Sequence, residues 1–313
     1  MNLPGNYFKY HFKTTCTKLI YIVVMCMAVI ALSSANKYDS VSPFAGDLMD
    51  SSMLSFLSTV LMIMSIVFPL LEMRPFNNKN NLDLLFGAPL SRTNMFLTRF
   101  FNGLLQMELT YTAIFIAWVF LHLLKGENAL NPEYVPLVYV LQALMGAVAY
   151  VFHTFIFVQA NSNKLGTVLL LMYYHASIGF HSALSLLTSS DDITVNLGFS
   201  TPLTSMVVVT TYLDSLLVKV KTYDNTINEI VYTNQEPAVP HAHIIGLLII
   251  FVGIAIFMTA FMRKKFKNKI PTDGLTSFGL KMLIAFGATI ITSHALSQFG
   301  SMRSLIELLV VGF

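Results

Sequence analysis

The sequence has 313 residues, of which 55% are hydrophobic and 11% are charged, and its mean hydropathy is +0.66. Soluble domains carry about 25% charged residues, so this composition excludes an ordinary soluble globule and predicts a membrane protein. The net charge is only +3, which gives no case for a nucleic-acid partner.

Seven apolar stretches recur along the chain, each close to the roughly 20 residues that cross about 30 Å of hydrocarbon. They cover approximately residues 17–35, 53–71, 101–124, 135–160, 165–187, 244–262 and 280–296. A further stretch begins near Leu305 and is still apolar at Phe313. Either this tail lies in the membrane interface or the chain is the front part of a longer protein, and we favour the second reading. The pattern predicts an all-α, polytopic membrane protein with about six to eight transmembrane helices.

The placement of the basic residues predicts the orientation. If all seven stretches cross and the N-terminus is cytoplasmic, 14 of the 19 Lys and Arg residues lie on the cytoplasmic side and five lie outside. This distribution follows the positive-inside rule, so we predict a cytoplasmic N-terminus.

The spacing of the stretches predicts the organisation of the chain. Only residues 161–164 separate the fourth and fifth stretches, which therefore form a tight antiparallel hairpin. The predicted N-terminal parts are a cytoplasmic amphipathic segment at 1–18 and transmembrane helices 1–5 at 19–187. An extracytoplasmic loop follows at 188–243, with an interfacial or re-entrant helix over 206–220. The last parts are a sixth helix at 244–262 and a basic cytoplasmic segment with one or more further hydrophobic helices at 263–313.

The cytoplasmic segment between the second and third stretches, residues 72–100, contains a short apolar run between two helix breaks. Pro75 ends the preceding helix, and Gly87 to Pro89 interrupt the run over 82–86. Ser91 is placed as the N-cap of the next helix, and Arg92 and Arg99 are seven residues apart on one face. A short helix at the root of two membrane helices could transmit a push from a cytoplasmic partner.

The run from Leu82 to Phe100, LDLLFGAPLSRTNMFLTRF, resembles the signature of ABC-2-type transporter permeases, and more narrowly of Gram-positive permeases of the antibiotic-responsive, acetoin-cluster type. In that family this segment is the coupling helix that docks into the ATPase subunit. The resemblance implies that six residues lie at or beside that contact: Asp83, Leu84, Leu85, Pro89, Ser91 and Arg92.

The same resemblance implies the partners and the activity. This chain would be a permease subunit that exports an amphipathic compound and assembles with a second copy or a related permease and with separate ATPase subunits. No GxxxxGK[ST] phosphate loop occurs in the sequence, so we expect no enzyme activity and no bound cofactor in this chain. ATP and Mg would belong to the partner ATPase.

Polar residues within apolar stretches are functional candidates because they are costly in hydrocarbon. Glu108 lies in the third stretch, where a cation such as Arg99 or water could satisfy it. Polar and small residues also recur at helical spacing in the fourth and fifth stretches. The candidates for a substrate path are Glu108, Gln142, His153, Tyr174, Ser177 and His181, although helix packing explains the same spacing.

Other functional classes have weaker support in the sequence. HExxH and GxSxG motifs are missing, and His241 and His243 alone would make an incomplete metal site, so we predict no metal ligands and no catalytic residues. Two alternatives to the permease stay open. One is a non-transporting membrane sensor or assembly protein that uses its outer loop, and the other is an ion-coupled secondary transporter that uses Glu108.

Overall fold

The computed structural model describes residues 5, 7–15, 23, 47–77, 91–125, 131–188, 202–217, 219–224, 229–234, 237, 239–267 and 275–311. Its elements are α1 (residues 7–15), α2 (Asp47–Met73), α3 (Arg92–Lys125), α4 (Val135–Phe157), α5 (Asn163–Thr188), α6 (Pro202–Leu217), β1 (Lys219–Asp224), β2 (Glu229–Asn234), α7 (His241–Lys267) and α8 (Ser277–Val311).

Five helical stretches in the described part of the chain are long and apolar enough to cross a membrane. They are Leu54–Asn77, Arg92–Phe120, Pro132–Phe157, His241–Lys264 and Ser277–Ala295. The predicted helical class is thereby confirmed, and these five helices are consistent with a membrane location. The predicted span at 165–187 is helical as α5, whereas the span predicted at 17–35 lies outside the described residues.

Helix α4 lies at the centre of the bundle and packs against α2, α3, α5, α6 and α7. Its apolar residues are complemented by small ones that let neighbouring helices come close. At Gly146 an added Cβ would lie 2.7 Å from the Leu61 side chain of α2, so only glycine permits this approach.

The turn between α4 and α5 is as short as predicted and also anchors the start of α8. The backbone N–H of Thr276 donates to the carbonyl oxygen of Gln159 at 3.0 Å. Gly279, in the first turn of α8, fits against the same carbonyl, where a Cβ would lie only 2.6 Å from the oxygen. Helix α8 then packs along α5.

The helix ends gather in two groups at opposite ends of the bundle. At one end lie α1, the end of α2, the start of α3, the turn after α4, the end of α7 and the start of α8. We call this the basic end because its cations include Lys9, Lys13, Arg74, Arg92, Arg99, Lys164, Arg263 and Lys264. At the other end, the backbone N–H of Asn131 donates to Leu217 at 2.9 Å, and the Tyr212 hydroxyl lies 2.6 Å from His241 Nδ1.

Two features differ from the sequence-based expectations. The predicted interfacial helix over 206–220 ends at Leu217, and β1 then pairs antiparallel with β2, so the chain is not purely α-helical. Helix α8 continues without a break from Ser277 to Val311, so no loop separates the stretch at 280–296 from the one beginning near Leu305. Alternation of β-branched residues explains the first difference.

Candidate functional site

The predicted coupling segment, residues 72–100, is described at its two ends, 72–77 and 91–100, but not at 78–90. Four of the six residues expected at the ATPase contact lie outside the described residues, namely Asp83, Leu84, Leu85 and Pro89. The other two begin α3. The backbone N–H of Asn94 donates to Ser91 Oγ at 3.2 Å, which confirms the predicted N-cap, and Arg92 is exposed in the first turn.

Glu72 lies at the end of α2, at the N-terminal end of the predicted coupling segment, and is only 3% exposed. Its Oε1 accepts a hydrogen bond from Asn102 Nδ2 at 3.0 Å, and its Oε2 accepts one from His11 Nε2 at 2.7 Å. The Arg99 guanidinium lies 3.9 Å from Oε2. We call these four residues the Glu72 cluster. A buried carboxylate is costly unless it is paired, so the cluster holds α1, α2 and α3 together.

Further contacts surround the Glu72 cluster. Gln106 Nε2 donates to the Thr15 hydroxyl at 2.5 Å, which adds a second link between α1 and α3. The guanidinium of Arg99 also lies 5.8 Å from the centre of the Phe76 ring. Gly103 faces the Glu72 side chain and leaves no space for a Cβ. The two ends of the predicted coupling segment are therefore held together by closely packed, hydrogen-bonded side chains.

The sequence analysis did not predict that Glu72 joins α1, α2 and α3, because helical spacing indicates only partners within one helix. Arg99, suggested as a partner of Glu108, contacts Glu72 instead. Nine residues separate Arg99 from Glu108, or about 13 Å along an α-helix. The sequence does contain a signal for this contact. Glu72 follows the apolar stretch 53–71, while His11 and Arg99 precede two other apolar stretches, so all three residues lie near helix ends.

Glu108 itself is partly buried in α3, and its Oε1 has no hydrogen-bond partner among the described residues. One turn further, the Thr112 hydroxyl donates to the Glu108 carbonyl at 2.7 Å and contacts the Tyr139 hydroxyl at 2.7 Å. Among the described residues, these polar groups bond to the backbone of Glu108 or to one another, and none of them pairs with its Oε1.

Gln142 joins a chain of hydrogen bonds across four helices. The Tyr111 hydroxyl donates to Gln142 Oε1, and Gln142 Nε2 donates to Ser58 Oγ at 2.9 Å. Ser58 Oγ in turn lies 2.7 Å from the Thr210 hydroxyl. The chain connects α3, α4, α2 and α6, so this predicted path residue lies in a packing interface.

His153 forms a second link between helices. Its Nδ1 lies 3.0 Å from the Ser65 carbonyl oxygen in α2, and its Nε2 lies 2.6 Å from the Tyr174 hydroxyl in α5. The two contacts are satisfied together if Nδ1 carries the proton and donates it, while Nε2 accepts from Tyr174. His153 is completely buried, so it also serves to join helices.

A cavity of about 410 Å³ lies between α2, α6 and the Tyr174 side chain. Its apolar lining consists of Met62, Ile63, Ile66, Met206 and Val207. Its polar lining includes Asp214, several hydroxyl groups and the Ser58–Thr210 pair that ends the hydrogen-bond chain from Gln142. We call it the α2–α6 cavity. An apolar wall with a few polar groups suits an amphipathic molecule.

The remaining sequence-based candidates divide as follows. Tyr174 lines the α2–α6 cavity, and Ser177 is buried one turn further along α5. The side chain of His181 lies outside the described part of the chain. At the opposite end, burial and, secondarily, the nearby Tyr134 raise the pKa of Tyr212, which keeps its hydroxyl protonated beside His241.

Neither a protein-family model, nor a curated protein, nor a solved structure matches the chain with significance. What the chain does must therefore be inferred from its own residues.

Proposed function

We propose that this chain is the membrane-spanning permease subunit of an ATP-driven transporter of the ABC-2 type. In this proposal it exports an amphipathic compound, such as a peptide antibiotic, a drug or a lipid, across a bacterial plasma membrane. A separate ATPase subunit hydrolyses ATP, and two membrane subunits, identical or related, assemble on the ATPases. The observation that carries the proposal is the Glu72 cluster, which joins the helices on both sides of residues 78–90.

The Glu72 cluster supports a mechanical role because it converts a local push into a shared movement. A force on residues 78–90 reaches the end of α2 and the start of α3, and α1 is bonded to both. These three helices therefore move together. Helix α2 also forms one wall of the α2–α6 cavity, so its movement changes the space offered to a bound compound. A compound is transported only if it binds the two resulting states with different affinity.

Co-purification tests the ATPase partnership. We expect an ATPase encoded beside this chain to purify with the detergent-solubilised wild type in about equal amounts. The D83A/R92A variant should lose the ATPase. The matched control is E133A/K164A, which removes one acidic and one basic residue, both exposed, away from the segment. Failure of the wild type to retain an ATPase, or equal loss in both variants, would refute the proposal.

A second experiment tests the α2–α6 cavity as the binding site. Val207 lines this cavity and is 61% exposed, whereas Ile245 on α7 is 58% exposed and does not line it. Val207→Trp should fill the cavity, so cells that express this variant should lose their resistance to the transported compound. Cells that express Ile245→Trp should keep that resistance. If both variants transport equally, the compound does not use this cavity.

Glu108 Oε1 has no hydrogen-bond partner in the part of the chain that the structure describes, which favours a second candidate function, ion-coupled secondary transport. A carboxyl group inside an apolar helix is suited to carrying a proton or a cation. In that case Glu108→Gln should abolish ion-dependent transport in vesicles without ATP, and Glu133→Gln, which changes an exposed carboxylate, should not. Transport that needs ATP and survives Glu108→Gln would reject this candidate.

A further inference from the structure

A polar cleft of about 690 Å³ at the basic end separates the first turn of α3 from the last turns of α7. Arg92 lies on the α3 side, and Arg263 and Lys264 lie on the α7 side. Among the described residues that line this cleft, none is acidic. Three cationic side chains from two helices therefore meet around one space, which we call the α3–α7 cleft.

The start of α3 adds to the positive potential of the cleft. Ser91 caps the helix, and both Ser91 and Asn94 line the cleft with their polar side chains. The N-terminus of an α-helix carries partial positive charge and unpaired backbone N–H groups, both of which favour an anion. The cleft thus combines three full charges, hydrogen-bond donors and a helix dipole of the same sign.

Below the cations, the exposed face of α7 is apolar. Ala260 lines the cleft one turn before Lys264. Ile256 and Phe257, which precede Ala260 by one turn on the same face, are 67% and 70% exposed. At Gly253 an added Cβ would meet nothing within 4 Å, so this face stays open toward its surroundings. A ligand in the cleft would therefore contact basic side chains near the C-terminal end of α7 and an apolar surface one to two turns earlier on the same helix.

We propose that the α3–α7 cleft binds the phosphate of an anionic glycerophospholipid, whose acyl chains lie along the exposed face of α7. The charge selects an anionic headgroup, because clustered basic residues at the membrane surface attract such lipids. The apolar face distinguishes a lipid from free phosphate, which would gain nothing from Ile256 and Phe257. The continuity of charge with an apolar face on one helix also favours a lipid over an acidic protein surface. This inference does not depend on the transport function.

The test measures lipid binding to the full chain in detergent by native mass spectrometry. The probes are dioleoyl phosphatidylglycerol, dioleoyl phosphatidylcholine and inorganic phosphate. A basic side chain near an anionic lipid is worth about fivefold in affinity. The R263Q/K264Q variant should therefore bind phosphatidylglycerol about 10- to 30-fold more weakly than the wild type. The matched control K9Q/K13Q removes two exposed cations of α1 at the same end and should stay within twofold.

Four results would overturn the proposal. Equal binding of phosphatidylglycerol and phosphatidylcholine to the wild type would show that the cleft does not select charge. Equal loss in both variants would show only a diffuse charge effect. Displacement of phosphatidylglycerol by equimolar inorganic phosphate would identify a free-anion site. If R263Q/K264Q keeps its lipid but loses a co-purifying ATPase, the cleft is instead a protein contact. A charge-preserving R263K variant that still binds phosphatidylglycerol confirms that side-chain charge, rather than misfolding, explains the loss.

Discussion

Replacing Glu72 by glutamine tests whether the Glu72 cluster joins α1, α2 and α3. The substitution keeps the size of the side chain and one acceptor oxygen but removes the negative charge. It replaces the other oxygen by an NH2 group, which must then face either the donor of His11 or that of Asn102. Arg99 also loses its nearest carboxylate.

The expected loss of stability follows from the burial of these groups. The side chains of Glu72 and Arg99 are 4% and 12% exposed, so water screens their interaction only slightly. Hydrogen bonds to charged groups contribute about 1.5–3 kcal/mol each, and breaking a buried ion pair costs about 3–5 kcal/mol. Because glutamine retains one acceptor, we expect Glu72→Gln to lower the free energy of unfolding by about 3 kcal/mol.

The assay is denaturant-induced unfolding of the purified chain in detergent, with trypsin cleavage at Lys9 and Lys13 as a local measure of α1. Glu133→Gln makes the same chemical change at an exposed carboxylate and should alter the free energy of unfolding by less than about 0.5 kcal/mol. Loss of the bond from His11 should raise the cleavage rate about tenfold in Glu72→Gln, because 1.4 kcal/mol is tenfold in an opening equilibrium. Unfolding of Glu72→Gln within 0.5 kcal/mol of the wild type, with unchanged cleavage, would refute the reasoning.

Two further substitutions test the packing at the basic end and the hydrogen-bond chain. Gly279→Ala places a Cβ 2.6 Å from the Gln159 carbonyl oxygen and should destabilise the chain by about 1–3 kcal/mol. Gly253→Ala meets no atom within 4 Å and should not lower the thermal unfolding midpoint, so equal midpoints of the two variants would contradict the contact. Gln142→Leu removes the acceptor of one buried hydroxyl and a donor to another and should cost about 1–2 kcal/mol in the same unfolding assay. An unchanged free energy of unfolding would mean that Gln142 does not hold the helices together.

The features predicted correctly from sequence are those that depend on neighbours in the chain. Hydropathy over about 20 residues identified the helices that match the apolar stretches, because crossing hydrocarbon requires a continuous apolar helix. Ser91 was recognised as an N-cap because capping involves residues only three positions apart. The short turn around Gln159 followed from the few residues between two apolar stretches.

The features that were missed depend on contacts between distant parts of the chain. Glu72 bonds to His11, which is 61 residues away, and no helical spacing within one stretch reveals such a pair. The strands β1 and β2 were not predicted, because the apolar run that begins at Met206 was interpreted as one helix up to residue 220. Val220 and Thr222 alternate with Lys219 and Lys221, a period of two that favours a strand. The α2–α6 cavity likewise requires knowing which helices are neighbours.

The position of α1 has a consequence for the biosynthesis of the protein. His11 and Thr15 leave the ribosome early, but their partners Glu72, Asn102 and Gln106 are made only after 61 to 91 further residues. At the usual rate of about 5–20 residues per second, α1 waits several seconds or more before it can dock. During that interval, its aromatic and basic side chains can contact the membrane surface or a chaperone. Helix α1 therefore cannot form all of these hydrogen bonds until Gln106 in α3 has been synthesised.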